Sequence, residues 1–254
     1  MTSPYDQRNH IVGLEKGLAV IECFDDSRQR LTISDAAKAV GLSRAAARRC
    51  LLTLNYLGYA DYDGKYFSLT PRAMRLGYAY LASTTIPKIL QTYLENLCEE
   101  VSEACSAAIL DGNEFVYVAR AAVKRILAAN VNVGTRLPLF CTSLGRVLLS
   151  GLEGDRAQEI LESIPRPAFT NYTKTDIEQI QKELAKVRAN GYCLVEEELQ
   201  LGLNSIAVPV FNSTGLLVAS MCISSQPSRK SSQQMVEEFL PKLLRTQKLL
   251  SSII

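Results

Sequence analysis

One histidine in 254 residues is the first limit this chain places on its own chemistry. His10 stands in a polar N-terminal stretch without periodicity, so a zinc site or a Ser–His or Cys–His pair has no good ligand or base. No H-E-x-x-H, G-x-S-x-G, P-loop or G-x-G-x-x-G pattern occurs. The seven cysteines are odd in number and contain no C-x-x-C pair. Most lie in apolar runs, as buried thiols of a reducing compartment would. The longest apolar stretch, near 216–223, is far short of the ~20 residues of a membrane span. No charged-then-apolar leader opens the chain. These absences argue against an enzyme, a bound metal, another cofactor or a membrane, and leave the cytoplasm as the expected location.

What is present is ordinary globular material, 47% hydrophobic and 21% charged, enough for one large or two modest domains. The net charge of +2 excludes a basic coat over the whole chain. Its distribution is uneven: residues 1–80 carry eleven Lys and Arg against eight Asp and Glu, and the remainder seventeen against eighteen. The local surplus falls on Lys38, Arg44, Arg48 and Arg49, opposed only by Asp35. Clustered base on one element is the footprint of a nucleic-acid surface, although a solvated helix face has the same composition.

Residues 1–10 read as a flexible tail. Leu14, Leu18, Ile21 and Phe24 recur at helical spacing and predict a first amphipathic helix. Ser34 is expected to cap a short helix over 35–40. Gly41 is free to take the positive φ that ends it, and Ser43 caps a longer helix from Arg44 to about Leu57. Two short strands around Asp63-Gly64 follow, and Thr70-Pro71 opens a helix to about Ser83. Beyond Ile86 the pattern changes. A helix at 86–101 precedes strands at 105–110, 115–121 and 126–133. Helices then follow Thr142-Ser143 and the Thr175-x-x-Glu178 box. Strands return at 192–195, 205–211 and 216–224, and Ser231-x-x-Gln234 opens a last helix. The fold class is α+β, with an antiparallel sheet in the C-terminal part. The expected organisation is a tail (1–10), a winged helix-turn-helix (11–70), a linker helix (71–85) and a second domain (86–254).

The segment 34–69 has the outline of a winged helix-turn-helix. At 100° per residue Ala47, Cys50, Leu51, Leu54 and Leu57 share the inward side of its second helix, and Ala45, Arg48, Arg49, Leu52 and Tyr56 the outward side. Small side chains let such a helix enter a major groove, where Arg pairs with guanine or holds a phosphate. Ser43, Arg44, Ala45, Ala46, Arg48 and Arg49 are therefore the candidate contacts to double-stranded operator DNA. Lys65 and Tyr66 at the wing tip are weaker candidates, since an exposed hairpin explains them equally well.

The runs Leu14-Glu15-Lys16-Gly17-Leu18-Ala19-Val20-Ile21 and Ser43-Arg44-Ala45-Ala46-Ala47-Arg48-Arg49-Cys50-Leu51 resemble the IclR family of bacterial regulators. Within it they are most similar to the branch that controls protocatechuate and β-ketoadipate catabolism, the PcaR, PcaU and PobR type. The resemblance covers nearly the whole chain. The family's C-terminal signature is matched by Gly191, Glu198, Ser205, Ile206, Ala207, Val210, Phe211 and Asn212. Val195 stands where Asp or Ser is expected. The resemblance implies a GAF-like effector-binding domain for 86–254 and a small organic-acid effector, such as protocatechuate, 4-hydroxybenzoate or β-ketoadipate. It also implies a homodimer or a tetramer built of dimers, with RNA polymerase a further candidate partner.

The implied pocket lies between the sheet and the helix after Thr142-Ser143. A helix N-terminus offers free N–H groups and a positive dipole end, which suit a carboxylate. Cys141, Thr142, Ser143, Leu144 and Gly145 form that turn, although simple capping of a core helix would use the same residues. By family register Ser205, Cys222 and Ser224 line the far wall, with Val195 at the odd position. Arg120 and Arg136 are candidate counter-ions, with a surface ion pair as the plain alternative for each. Two further readings stand beside the effector-responsive regulator. One is a redox-responsive regulator using Cys141, Cys193 or Cys222. The other is a small enzyme on a GAF-like domain with an N-terminal interaction module. Glu196, Glu197 and Glu198 read as a solvated strand end.

Overall fold

The structure is a computed structural model that describes residues 9–25, 27–122 and 131–254. By internal contacts the chain divides into two units, residues 1–80 and 81–254.

The first unit contains α1 (Val12–Glu22), α2 (Ile33–Ala39), α3 (Arg44–Tyr56), β1 (Ala60–Tyr62) and β2 (Phe67–Leu69). A 3₁₀ turn (Pro71–Ala73), capped by the Thr70 hydroxyl, then leads into α4 (Met74–Ser83). Val20, Leu31, Ala36, Leu51, Leu54 and Phe67 make its core. Leu31 bridges to Phe67 as a third, one-residue partner of the wing, an element absent from the sequence reading. The cap of α2 is Thr32 rather than Ser34. Its hydroxyl accepts from the Asp35 amide at 3.2 Å, and the Asp35 carboxylate accepts from the Thr32 amide at 3.0 Å. This reciprocal box satisfies two helix-end donors at once, which a lone serine at 34 cannot do. Leu14 and Leu18, two of the four residues in the amphipathic repeat of α1, are exposed. Periodicity identifies an apolar stripe, but only tertiary contacts decide how much of it is covered, and here Val20 and Cys23 bury the C-terminal end of α1.

The second unit is a six-stranded antiparallel sheet with helices on both faces. In chain order it comprises α5 (Thr85–Val101), β3 (Ala104–Asp111), β4 (Glu114–Ala121), β5 (Arg136–Pro138), α6 (Ser143–Ser150), α7 (Arg156–Ser163), α8 (Ile177–Asn190), β6 (Cys193–Glu196), β7 (Asn204–Phe211) and β8 (Leu217–Ser225). A last helical segment runs from α9 (Ser232–Gln234) through a π-helical stretch (Met235–Phe239) into α10 (Leu240–Leu250). The strand order is β5-β4-β3-β8-β7-β6. Alternation of side chains along the strands divides the core in two. One face packs on α6, α7 and α8 through Leu144, Val147, Leu161, Ile180 and Leu184. The other packs on α5 and α10 through Leu90, Leu94, Leu97 and Leu243. Full burial of each such leucine contributes roughly 1.5–3 kcal/mol.

Three expectations change. Residues 126–130 of the strand expected at 126–133 lie outside the described residues, and 131–133 are not strand. The outer partner of β4 is β5, too short to show a period-2 pattern. The cap of α8 is Asp176, not Thr175, and it accepts from the Gln179 amide at 2.9 Å. Helix α7 is left unassigned by the sequence reading.

Candidate nucleic-acid interface and effector site

Helix α3 starts where the Ser43 hydroxyl accepts from the Ala46 amide at 3.2 Å, just after Gly41 ends the preceding turn with φ +65°. Ala47, Leu51 and Leu54 bury its inner side. Arg44, Ala45, Arg48 and Arg49 are exposed, Ala46 is half-buried, and Leu52 packs against the core instead of facing out. Among the described residues no carboxylate pairs with Arg44, Arg48 or Arg49, whereas Arg28 and Arg30 are paired with Asp25 and Asp63. Unpaired guanidinium groups on one small-residue face are what a polyanion can use without first breaking an ion pair.

The wing is built by Asp63, whose carboxylate accepts from the Lys65 and Tyr66 amides at 2.9 and 2.7 Å. Those amides, with the Arg30 charge, hold its pKa below the usual carboxylate range. The Lys65 ammonium and the Arg30 guanidinium each lie 4.9 Å from the Tyr66 ring centroid. Tyr66 is thus the platform for two cations. Arg30, remote in sequence, is a wing cation that spacing alone does not reveal.

In the second unit, register places the expected polar residues in adjacent rows on the α6 face of the sheet. Val195 pairs with Ser205, and Ser205 with Ser224. The next row runs Cys193, Ala207, Cys222, Ser106 and Arg120. Ser143, the first residue of α6, donates its hydroxyl to Ser205 Oγ at 2.8 Å, so the start of the helix faces these rows. Arg120 is half-buried, and among the described residues no carboxylate pairs with its guanidinium. Burial pushes the Tyr117 hydroxyl well up and the Cys222 thiol up to about 11. The positive charge of Arg120 pulls both partly back. Tyr117 and Ser106 belong to this constellation and were not marked in the sequence. A tyrosine in an apolar strand reads as core until register shows its neighbours.

The turn residues divide by role. The Thr142 hydroxyl accepts from the Gly145 amide at 3.2 Å and donates to the Pro138 carbonyl at 2.8 Å, so its proton and one lone pair serve the turn. Gly145 is a packing requirement, since a Cβ there would lie 2.3 Å from the Leu139 carbonyl oxygen. Cys141 and Leu144 are buried in the core. The amides of Ser143 and Leu144 have no backbone acceptor among the described residues. Arg136 is a correction. It pairs with Val116, which the irregularity in the β3–β4 register between Ala107 and Ala108 turns to the α5 face, opposite Arg120. Its guanidinium donates to Asp111 and Glu114 at 2.8 and 2.9 Å in an exposed ion pair.

Glu198 is a second correction. It is not solvated: its side chain is 4% exposed and forms a two-point ion pair with the wholly buried Arg146. Arg146 also donates to the Phe140 carbonyl at 2.9 Å, and Glu198 accepts from the Lys174 amide at 3.0 Å. Thr173 donates to the Glu198 carbonyl at 2.6 Å. The pair ties α6, and through Phe140 the chain before it, to the β6–β7 connection, so this signature glutamate is part of the frame around the candidate pocket.

Burial pushes the Cys141 and Cys193 thiols up to about 12. A thiol acts as nucleophile only as thiolate, so burial opposes the redox reading at the three cysteines named for it. Among the described residues no group of three or more His, Cys, Asp and Glu could hold a metal ion. No helix among them is long and apolar enough to cross a membrane.

Residues 13–64 match the IclR helix-turn-helix domain, and residues 78–252 the bacterial transcriptional regulator IclR C-terminal domain. The chain belongs to the IclR family. This IclR-family protein is 41% identical over 251 residues to the p-hydroxybenzoate hydroxylase transcriptional activator of Acinetobacter baylyi, covering 97% of this chain and 93% of that protein. It is 39% identical over 235 residues to the Pca regulon regulatory protein of Pseudomonas putida, covering 92% and 81%. It is also similar to the crystallised inducer-binding domain of a double mutant of PobR from Acinetobacter, in complex with 3-hydroxybenzoic acid. There the identity is 36% and the TM-score 0.64, covering 67% of this chain and 100% of the other. An IclR-family protein of this kind pairs a DNA-binding helix-turn-helix with an effector-binding domain, and its fold is the α+β arrangement described above.

Proposed function

We propose that this IclR-family protein is an effector-responsive regulator of aromatic-acid catabolic genes, and that a hydroxybenzoate-type acid binds between α6 and the sheet. The single observation that carries this is Arg120. Its guanidinium has no carboxylate partner among the described residues, is half-buried, and acts on Tyr117 and Cys222 in a row of small polar side chains. A cation so placed favours an anionic ligand, and the planar guanidinium fork matches a carboxylate. Tyr117 and Ser106 offer hydroxyls for a ring substituent, and the Ser143 and Leu144 amides add donors at a helix N-terminus. Val195 removes one polar contact and leaves an apolar wall for an aromatic ring. The names of the two curated relatives and the 3-hydroxybenzoic acid complex support the same ligand class.

On the DNA side, Ala45, Arg48 and Arg49 enter the major groove, Ser43, Arg44 and Ala46 lie along the backbone, and Lys65 touches it from the wing. Ligand binding changes operator affinity by linkage, through the arrangement of recognition helices in a homodimer or a dimer of dimers. Such a protein works in the cytoplasm by binding rather than turnover, with RNA polymerase as its partner where it activates. Calorimetric titration with 4-hydroxybenzoate, protocatechuate and β-ketoadipate tests the reading. At least one acid should bind the wild type and bind Arg120→Met on the order of tenfold or more weakly. Equal affinity for wild type and variant would overturn the assignment.

A further inference from the structure

We infer that Gln91 is a positioning residue for the effector, its side-chain amide standing in for a missing strand and fixing the main chain of Arg120. The inference rests on the reading of Arg120 as the carboxylate's counter-ion.

Among the described residues, strand β4 is paired along its outer edge only at its start. Partners in β5 reach from Glu114 to Val116, and Tyr117 bonds to Thr135 and Gly134 at 3.0 and 2.8 Å. No strand among the described residues follows the outer edge from there to Ala121. An unpaired strand edge leaves N–H and C=O groups that burial makes costly. Gln91, on α5, fills the gap at one residue. Its Oε1 accepts from the Arg120 amide at 3.0 Å, and its Nε2 donates to the Arg120 carbonyl at 3.0 Å.

Two bonds exchanged with one residue reproduce the hydrogen-bonded pair of an antiparallel ladder, because a primary amide carries the same donor and acceptor as a peptide group. The second Nε2 hydrogen goes to Glu95 Oε1 at 2.8 Å, one turn along α5. A carboxylate can only accept, so Glu95 fixes which end of the amide is nitrogen and leaves Oε1 for the Arg120 amide. On its other side Arg120 is paired with Ser106 of β3. Its own N–H and C=O thus both bond to Gln91, the flanking pairs Ala119–Ala107 and Ala121–Cys105 join the strand to β3, and the strand cannot slide without breaking two bonds to α5. A carboxylate recognised by a guanidinium fork depends on such placement, since both N–H···O bonds must be met together.

The test uses the full chain and two probes of the same shape, 4-hydroxybenzoate and 4-hydroxybenzamide. Wild type, Arg120→Met, Gln91→Met and Gln91→Asn are titrated by calorimetry. Gln91→Met removes both bonds at similar volume. Gln91→Asn keeps the chemistry but is one methylene too short, and it serves as a second route should the first variant not fold. Wild type should prefer the acid on the order of tenfold, and Arg120→Met should lose the preference. Both Gln91 variants should cut it to about threefold or less while amide affinity stays within about twofold, and Arg120 N–H exchange should speed up about tenfold. Equal weakening of acid and amide would show a merely structural role and overturn the inference, as would an intact preference. A wild type that binds none of 4-hydroxybenzoate, protocatechuate and β-ketoadipate would overturn the effector reading itself, and the role of Gln91 with it.

Discussion

Arg146 and Glu198 meet in the interior of the effector domain through two parallel hydrogen bonds, each 2.6 Å long. Taking two ions out of water is expensive, and the geometry here meets the cost with further bonds to Phe140 and Lys174. Removing one partner strands the other. Glu198→Ala is expected to destabilise the protein by about 3–5 kcal/mol in urea unfolding. The double variant Arg146→Met, Glu198→Leu should recover much of that loss. A single variant as stable as wild type would show that the pair carries no structural weight.

On the DNA-binding face, Arg49→Ala should weaken operator binding by about 1–3 kcal/mol if the side chain reads a base. If it holds a phosphate instead, the slope of log affinity against log salt should fall by about one. Fluorescence anisotropy across a salt series distinguishes the two outcomes. Unchanged affinity at matched salt removes Arg49 from the interface.

Gly145 is where the start of α6 passes closest to the chain before it. A methyl group there meets the Leu139 carbonyl oxygen at 2.3 Å and its Cα at 2.5 Å, both backbone atoms that cannot rotate away. Gly145→Ala should therefore lower the unfolding temperature, at a cost of about 1–3 kcal/mol or more. Thermal melts of the two proteins side by side read this directly.

Ser143 is 1% exposed and bonded to Ser205. Ser143→Ala should cost about 1 kcal/mol of stability and weaken effector binding, leaving operator affinity without effector unchanged. Ser143→Phe puts a ring into the space the ligand would occupy beside the sheet, so it should abolish the effector response at a larger stability cost. A mutant with a normal response would argue against the α6 turn as a pocket wall.

The buried thiols give a pH prediction. Cys141, Cys193 and Cys222 have folded pKa values raised by burial to about 12, 12 and 11. A raised folded pKa contributes stability that is present below the unfolded value near 9 and is lost as pH rises through the folded value. Native protein at pH 8 should thus resist alkylation at these three positions, with the half-buried Cys50 reacting first. Mass spectrometry after a short iodoacetamide pulse checks the order, and rapid labelling of Cys222 would restore the redox alternative.

The amino-acid sequence by itself determined most of the elements and the helix-turn-helix. Gly41, Ser43 and the alternation of Arg with Ala and Leu in 44–57 act within one or two turns, and local rules of capping and periodicity are enough to read them. It also determined the family, because matches spread over most of the chain need no geometry. Tertiary structure decided the rest, because sheet register and burial depend on residues far apart in the chain. Register brought Ser106 into the row of Arg120, put Tyr117 on the same face, and sent Arg136 to the other face, where Asp111 and Glu114 engage it. Burial turned Glu198 from one of three consecutive acids into half of an internal ion pair with a residue 52 positions away. Strand β4 outruns its neighbour β5, and only the packing of α5 showed that Gln91 closes the gap at Arg120.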